Sequence, residues 1–303
     1  MAREPGRWPL RSPTEAAGNL STMDAAEIRV ALASTGYVAE ESTAMALWLA
    51  MELDKPLFLE GDPGVGKTEL ARAMASVLNL PLIRLQCYEG IDAAQALYDW
   101  DFPRQILHVR AAESAGVKDV DQIEHDLYDR RFLISRPLLR ALEEPCVLLI
   151  DEVDRADDEF EAFLLEILSD FAITIPEIGR IAAEEPPLTI LTSNRTRDVH
   201  DALKRRCLYQ YLEHPSVERA ITIIRTRLPE ISEALAAEVA AAVDRIRKLD
   251  LIKAPGTAES LDWASTLLAL GARNISPETA ALSLGALLKY QDDIAQVRAL
   301  LAS

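Results

Sequence analysis

The sequence predicts an α/β protein: a parallel sheet flanked by helices, followed by a small all-helical domain. Three observations predict it. Short apolar runs of strand length alternate with segments of helical period through the first two-thirds of the 303 residues, as when crossover helices join parallel strands. A glycine-rich loop, GDPGVGKT, stands between one such run and one such helix. From about Pro215 onward only helical patterns follow.

The elements follow in order. The first 22 residues carry Pro, Gly and Ser and no apolar run, so they read as a flexible N-terminal segment. Helical patterns run over Asp24–Ser34 and Glu41–Asp54, and Gly36 between them suits a helix stop. KPLFLEG is a buried strand entering a glycine turn, and TELARAMASVLNL is a helix with Leu70, Met74, Val77 and Leu78 on one face. LIRLQC is a second strand, CVLLID a third and LTILTSN a fourth. Between Tyr88 and Glu144 the pattern is mixed and mostly helical. Phe160, Phe163, Leu164, Ile167, Leu168 and Phe171 share one helical face. The β-prone runs around Gly179 suggest a hairpin. In the last third, Leu235, Val239, Val243 and Ile246 form an apolar stripe, and Ser276 before Pro277 reads as an N-cap with proline at the first helical position. The expected organisation is a flexible segment over residues 1–22, a nucleotide-binding α/β domain over 23–214 and a helical lid domain over 215–303.

Composition narrows the function. The formal net charge is −17, and such a field repels phosphate backbones, which disfavours bulk nucleic-acid binding. The three cysteines are far apart and odd in number, which points to reduced thiols in a cytoplasmic setting. No stretch approaches the roughly 18–20 apolar residues of a membrane span, so no stable membrane insertion is expected.

GDPGVGKT fits the phosphate-binding pattern G-x-x-x-x-G-K-[ST], with the strand before it and the helix after it that the motif requires. Glycines let the backbone curl so that N–H groups point at phosphates, and the helix start adds its positive dipole end. The residues expected to bind ATP are Gly61, Asp62, Pro63, Gly64, Val65, Gly66, Lys67, Thr68 and Glu69. Lys67 suits the β/γ-phosphates, and Thr68 offers a hydroxyl to Mg²⁺.

Asp151 and Glu152 emerge at the carboxyl end of the CVLLID strand, where open α/β sheets place ligands. Asp151 suits the Mg²⁺ sphere, directly or through water. Glu152 suits the general base that orients the attacking water. Asp154 and Asp157 are expected to cap or solvate the next helix. Asn194, polar at the end of an apolar strand, suits a sensor of γ-phosphate and water, and Gln86, ending the second strand, is a candidate partner holding Glu152 inactive.

These motifs, in this order and with helices after them, resemble the AAA+ ATPases. The hairpin before the Asn194 strand resembles the MoxR branch. The blocks GYVAEESTAMALWLAMELDKPLFLEGDPGVGKTE, IRLQCYEGIDAAQALYDWD, FLLEILSDFAITIPEIGRI, TSNRTRDVHDALKRRCLYQ and DLIKAPGTAESLDWA are similar to the CoxD subgroup. The resemblance spans nearly everything after the first 25 residues or so. It implies an AAA+ P-loop sheet with a helical lid, Mg-ATP hydrolysis and a homo-oligomeric ring, a hexamer. It also implies a chaperone role in maturing a molybdenum-containing carbon monoxide dehydrogenase-type hydroxylase, with a von Willebrand A-domain protein as partner. The alternative within the same branch is another client complex, of the nitric oxide reductase or Rubisco type, as for neighbouring MoxR subgroups. A nucleic-acid-linked AAA+ motor is the alternative from another class, and the acidic charge weighs against it.

By the same resemblance Arg206, just before Cys207, matches the arginine finger offered to a neighbouring subunit, with Arg205 as a second contact. A planar, permanently charged donor suits the charge that develops on the γ-phosphoryl group. The family's second sensor, an arginine early in a lid helix, is missing: Ala258, Glu259 and Ser260 stand there. The hairpin around Ile173–Ile181 and the segment Asp101–Arg136 are expected to contact the client.

Overall fold

The computed structural model describes residues 23–114 and 126–302. The expected N-terminal segment, 1–22, and part of the expected client-facing segment, 115–125, lie outside the described residues.

Helices α1 (Ala25–Ser34) and α2 (Glu41–Glu52) come first. Asp24 caps α1 by accepting from Glu27 N, and Glu27 returns the bond, a reciprocal capping box. Strand β1 (Leu57–Gly61) leads into α3 (Lys67–Leu78). Strand β2 (Leu82–Gln86) is followed by a short α4 (Ala93–Ala96), β3 (Tyr98–Trp100), α5 (Phe102–Ser114), β4 (Leu133–Ser135) and α6 (Pro137–Glu143). Strand β5 (Val147–Asp151) precedes α7 (Asp158–Asp170). The hairpin is β6 (Ala172–Ile175) with β7 (Gly179–Ala182). Then come β8 (Leu188–Ser193), α8 (Asp201–Arg206) and β9 (Leu208–Leu212). Five helices finish the chain: α9 (Val217–Arg227), α10 (Glu233–Arg247), α11 (Thr257–Ala269), α12 (Pro277–Leu287) and α13 (Gln291–Ala302).

The sheet has five strands in the order β2-β5-β8-β1-β9. β2 pairs parallel with β5, setting Gln86 beside Asp151, and β5 pairs parallel with β8. Strands β1, β5 and β8 are buried along their whole length, as the central strands of a parallel sheet covered on both faces must be. The α/β class and the helical region after it are therefore as the sequence predicts. Two strand features escaped it. β9, LYQYL, is half-buried and lies at the sheet edge, so it lacks a continuous apolar run. β3 and β4 are three residues each and pair antiparallel, too short to show a period.

The chain divides into two compact units. One comprises residues 46–58 and 74–209. Its core gathers Leu148 and Ile150 of β5, Leu191 of β8, and Phe160, Leu164 and Ile167 of α7. The hairpin joins the same core through Ile173, Ile175 and Ile181, so only its turn and outer face are exposed. The other unit comprises 24–45, 59–73 and 210–303. Its helical core holds the expected stripe Leu235, Val239, Val243 and Ile246 against Trp263, Leu267 and Leu284. Trp263 is fully buried and its Nε1 donates to Ser283 Oγ at 2.7 Å, which satisfies the indole in an otherwise apolar core. Ser276 caps α12 with Pro277 at its first position, as expected.

Candidate functional site

The phosphate loop runs from the end of β1 to the start of α3. A Cβ at Gly61 would lie 2.3 Å from the Leu212 carbonyl oxygen, so only glycine fits. Gly64 and Gly66 have φ of +81° and +105°, a region costly for any residue with a side chain. The first i→i−4 bond of α3 is Leu70 N to Gly66 O, 3.0 Å. The N–H groups of the turn before it point out of the helix into the loop. Lys67 is buried, and its Nζ donates to Gly61 O at 2.6 Å and Asp62 O at 2.9 Å. An ammonium held by neutral carbonyls inside a glycine-walled loop is set to exchange them for phosphate oxygens. The cradle fits a nucleotide's phosphates. The Glu69 carboxylate pairs with Arg72 and Arg227, so what this residue offers an anion is its backbone N–H.

The loop is also held by the start of α11. Thr257 N, at the start of α11, donates to Gly64 O at 2.9 Å. Glu259 accepts from Gly256 N at 3.0 Å and so caps the helix, at a place where the sequence resemblance implies an arginine. Asp62 pairs with His214 Nε2 at 3.6 Å. Burial, with Arg247 second, pushes the His214 pKa below its ordinary 6.5, against the pull of Asp62 and Glu259.

In the other unit, β5 ends at Asp151 and Glu152. Asp151 is buried; its Oδ1 accepts from Thr192 Oγ1 at 2.5 Å, and its Oδ2 accepts from Arg84 Nε and Nη2 at 2.9 and 2.6 Å. Glu152 has φ +56° and ψ +49°, a left-handed conformation that costs a non-glycine residue on the order of 1 kcal/mol or more. Its backbone N donates to Thr192 Oγ1 at 2.9 Å. Its carboxylate accepts from Asn194 Nδ2 at 3.3 Å and Gln86 Nε2 at 3.1 Å, and pairs with Arg155 Nε at 3.1 Å. The contact between Gln86 and Glu152 looked for in the sequence is thus present.

The loop after Asn194 is tied down by two buried carboxylates. Asp154 is buried and accepts from Asn194 N, Thr196 N and Thr196 Oγ1 at 3.2, 2.8 and 2.6 Å. The expected helix-capping role is therefore wrong for Asp154 and right for Asp157, which accepts from Phe160 N at 2.9 Å. Asp154 sits in the 3-10 turn Val153–Arg155, and strand adjacency aims it at the β8 loop rather than along the chain. Glu161, fully buried, pairs with Arg197 and accepts from His200 N at 2.8 Å.

α8 carries Arg205 and Arg206, anchored by buried Leu203. Arg205 is 82% exposed and 3.9 Å from an equally exposed Asp201, a pair worth little in water. Arg206 is exposed, and its side chain makes no ion pair or hydrogen bond among the described residues. The structure brings Asp151, Glu152, Asn194 and Gln86 together; among the described residues neither Arg205 nor Arg206 is bonded to them. Sequence reasoning missed Arg84, Thr192 and Arg155. The available signal for Arg84 was its place two residues before Gln86, which puts both on one face of a strand.

The Asp151 carboxylate is a hard oxygen donor, the chemistry Mg²⁺ takes. Among the described residues, no helix is long and apolar enough to cross a membrane.

The family described as "AAA domain (dynein-related subfamily)" matches residues 56–207, half of the chain. An uncharacterized protein of Staphylococcus saprophyticus is 26% identical over 58% of this chain and 62% of its own length. One from Staphylococcus haemolyticus is 26% identical over 51% and 54%. The chain thus spans less than two thirds of these relatives. Among solved structures, the Thermotoga maritima RuvB Holliday junction branch migration motor is 18% identical, with 86% of this chain and 67% of that one covered and a TM-score of 0.43. That score is too low to carry anything from RuvB to this chain.

Proposed function

The chain belongs to the AAA domain family in its dynein-related subfamily, and from that premise we propose that it is a Mg²⁺-dependent ATP hydrolase that remodels a protein client. The observation that carries the reading is Glu152. It is an acidic side chain fixed at a strand end in a left-handed conformation, with an amide donor on each carboxylate oxygen, Asn194 on one and Gln86 on the other.

In this reading the loop Gly61–Glu69 takes the phosphates and Lys67 leaves its carbonyls for them. When bound, Mg²⁺ supplies neutralisation of the phosphate charge; Thr68 and Asp151 are the residues that would hold it. Glu152 orients a water and accepts its proton, and Asn194 positions both water and γ-phosphate. Arg206, with Arg205 beside it, supplies the finger to a neighbouring copy. Its exposure, and the lack of an acidic partner among the described residues, support that role.

The division into a nucleotide-binding part, 23–214, and a lid, 215–303, belongs to the same proposal. So do a hexameric ring, a cytoplasmic setting and a von Willebrand A-domain partner. The sequence resemblance to the MoxR branch and its CoxD subgroup supports a chaperone that matures a molybdenum-containing carbon monoxide dehydrogenase-type hydroxylase. The three cysteines are free, in keeping with a reducing compartment. The net charge of −17 speaks against a nucleic-acid motor.

The test separates binding from cleavage. Lys67→Ala should lose ATP binding, whereas Glu152→Gln should bind ATP with wild-type affinity and turn it over at least about 100-fold more slowly. Equal turnover by Glu152→Gln and the wild type would remove Glu152 from the base role.

A further inference from the structure

Arg84 and Gln86 leave the same face of β2, an edge strand of the sheet. Arg84 sends both Nε and Nη2 to one oxygen, Oδ2 of Asp151, at 2.9 and 2.6 Å. The same Nη2 donates to Oε1 of Gln86, whose Nε2 donates to Glu152 at 3.1 Å. The Asp151 side chain is 4% exposed and that of Arg84 46%. A carboxylate this buried needs a compensating cation. The guanidinium of Arg84 is such a cation, and a divalent ion would be another.

They compete. A guanidinium forked onto Oδ2 leaves that oxygen poorly available to another cation, and like charges repel strongly at such range. We propose that Arg84 is the resident counter-ion of Asp151, which Mg²⁺ must displace, so that Arg84 sets how tightly the chain holds the divalent ion. The inference rests on the reading of Asp151 as the carboxylate on the metal side. The half-exposed guanidinium has an exit: its long stem lets the charge swing into water at the sheet edge while the strand stays in place. Departure has a second effect. Gln86 loses its donor at Oε1, and the amide that holds Glu152 is freed to turn. Metal arrival and release of the base are thereby linked through one side chain.

The measurement is the affinity of a fluorescent ADP for the full chain, with and without Mn²⁺. The ratio of the two reports the metal's contribution, and effects common to both conditions cancel. Arg84→Met should raise the ratio roughly tenfold or more, the scale of a lost charge-assisted contact. Arg84→Lys keeps the charge and loses the fork, so it should raise the ratio less. It carries the test if the Met variant fails to fold. Asp151→Asn should reduce the ratio close to one, and Gln86→Ala, which removes one contact of Arg84 but leaves its fork on Asp151, should raise it clearly less than Arg84→Met. An unchanged or lower ratio in a folded Arg84 variant overturns the proposal while Asp151→Asn behaves as stated. A rise with Gln86→Ala equal to that of Arg84→Met also overturns it, because the network and not the counter-ion would then set affinity. A wild-type ratio in Asp151→Asn overturns both the proposal and the reading of Asp151 beneath it.

Discussion

Gly64 and Gly256 meet backbone to backbone: a Cβ on Gly256 would lie 2.8 Å from Gly64 Cα, and a Cβ on Gly64 would lie 3.0 Å from Gly256 Cα. One is the tip of the phosphate loop and the other the cap of α11. Thr257 N closes the contact on Gly64 O at 2.9 Å. This close approach ties the start of α11 to the loop.

Gly256→Ala should therefore cost about 1–3 kcal/mol by overpacking and weaken nucleotide binding as well. Gly285, inside α12 with nothing within 4 Å of a built Cβ, is the control. There alanine should be neutral or stabilising by about 0.5–1 kcal/mol. Melting curves and ADP titrations on both variants settle it. If the two substitutions behave alike, the contact has no energetic weight.

Arg206 is expected to act in trans. Arg206→Ala keeps a sound phosphate loop, and Lys67→Ala keeps a sound finger. Each should be inactive alone, with a finger worth roughly 10³–10⁵ in rate. Mixed and allowed to exchange subunits, they should recover part of the activity, and recovery should grow with protein concentration. A mixture that stays dead although subunits are shown to exchange would return Arg206 to an ordinary surface cation.

His214 makes stability depend on pH. Its folded pKa is lowered from 6.5, chiefly by burial. Below about pH 6.5 the unfolded chain therefore takes up a proton that the folded chain does not. Its contribution is present above pH 6.5 and is lost as pH falls from there through the folded pKa. The melting temperature should drop across that window, and His214→Gln should flatten the drop. An identical pH profile in the variant would show that the ring titrates normally in the fold.

Much of the molecule is legible from local pattern. A helix or strand announces itself within a few residues, through apolar period, caps and glycines. That is why α1, α12 with Ser276 and Pro277, the glycine loop, and the run ending in Asp151 and Glu152 could be read directly. The placement of Lys67, Glu152 and Asn194 was legible for the same reason: each stands at a fixed place relative to an element that the sequence defines.

The tertiary structure decided the partners. Arg84 is 67 residues from Asp151, and Asp154 is 42 from Thr196. No local period carries those distances. They follow from the strand order, which sets β5 between β2 and β8. Arg84 in isolation is a surface arginine and Asp154 a helix-capping aspartate. Sheet adjacency turns the first into the counter-ion of a buried carboxylate and the second into the anchor of the Asn194 loop. The edge strand β9 was hidden for a related reason. Half-buried on an exposed edge, it needs no apolar run, and its place beside β1 is set by pairing rather than by composition.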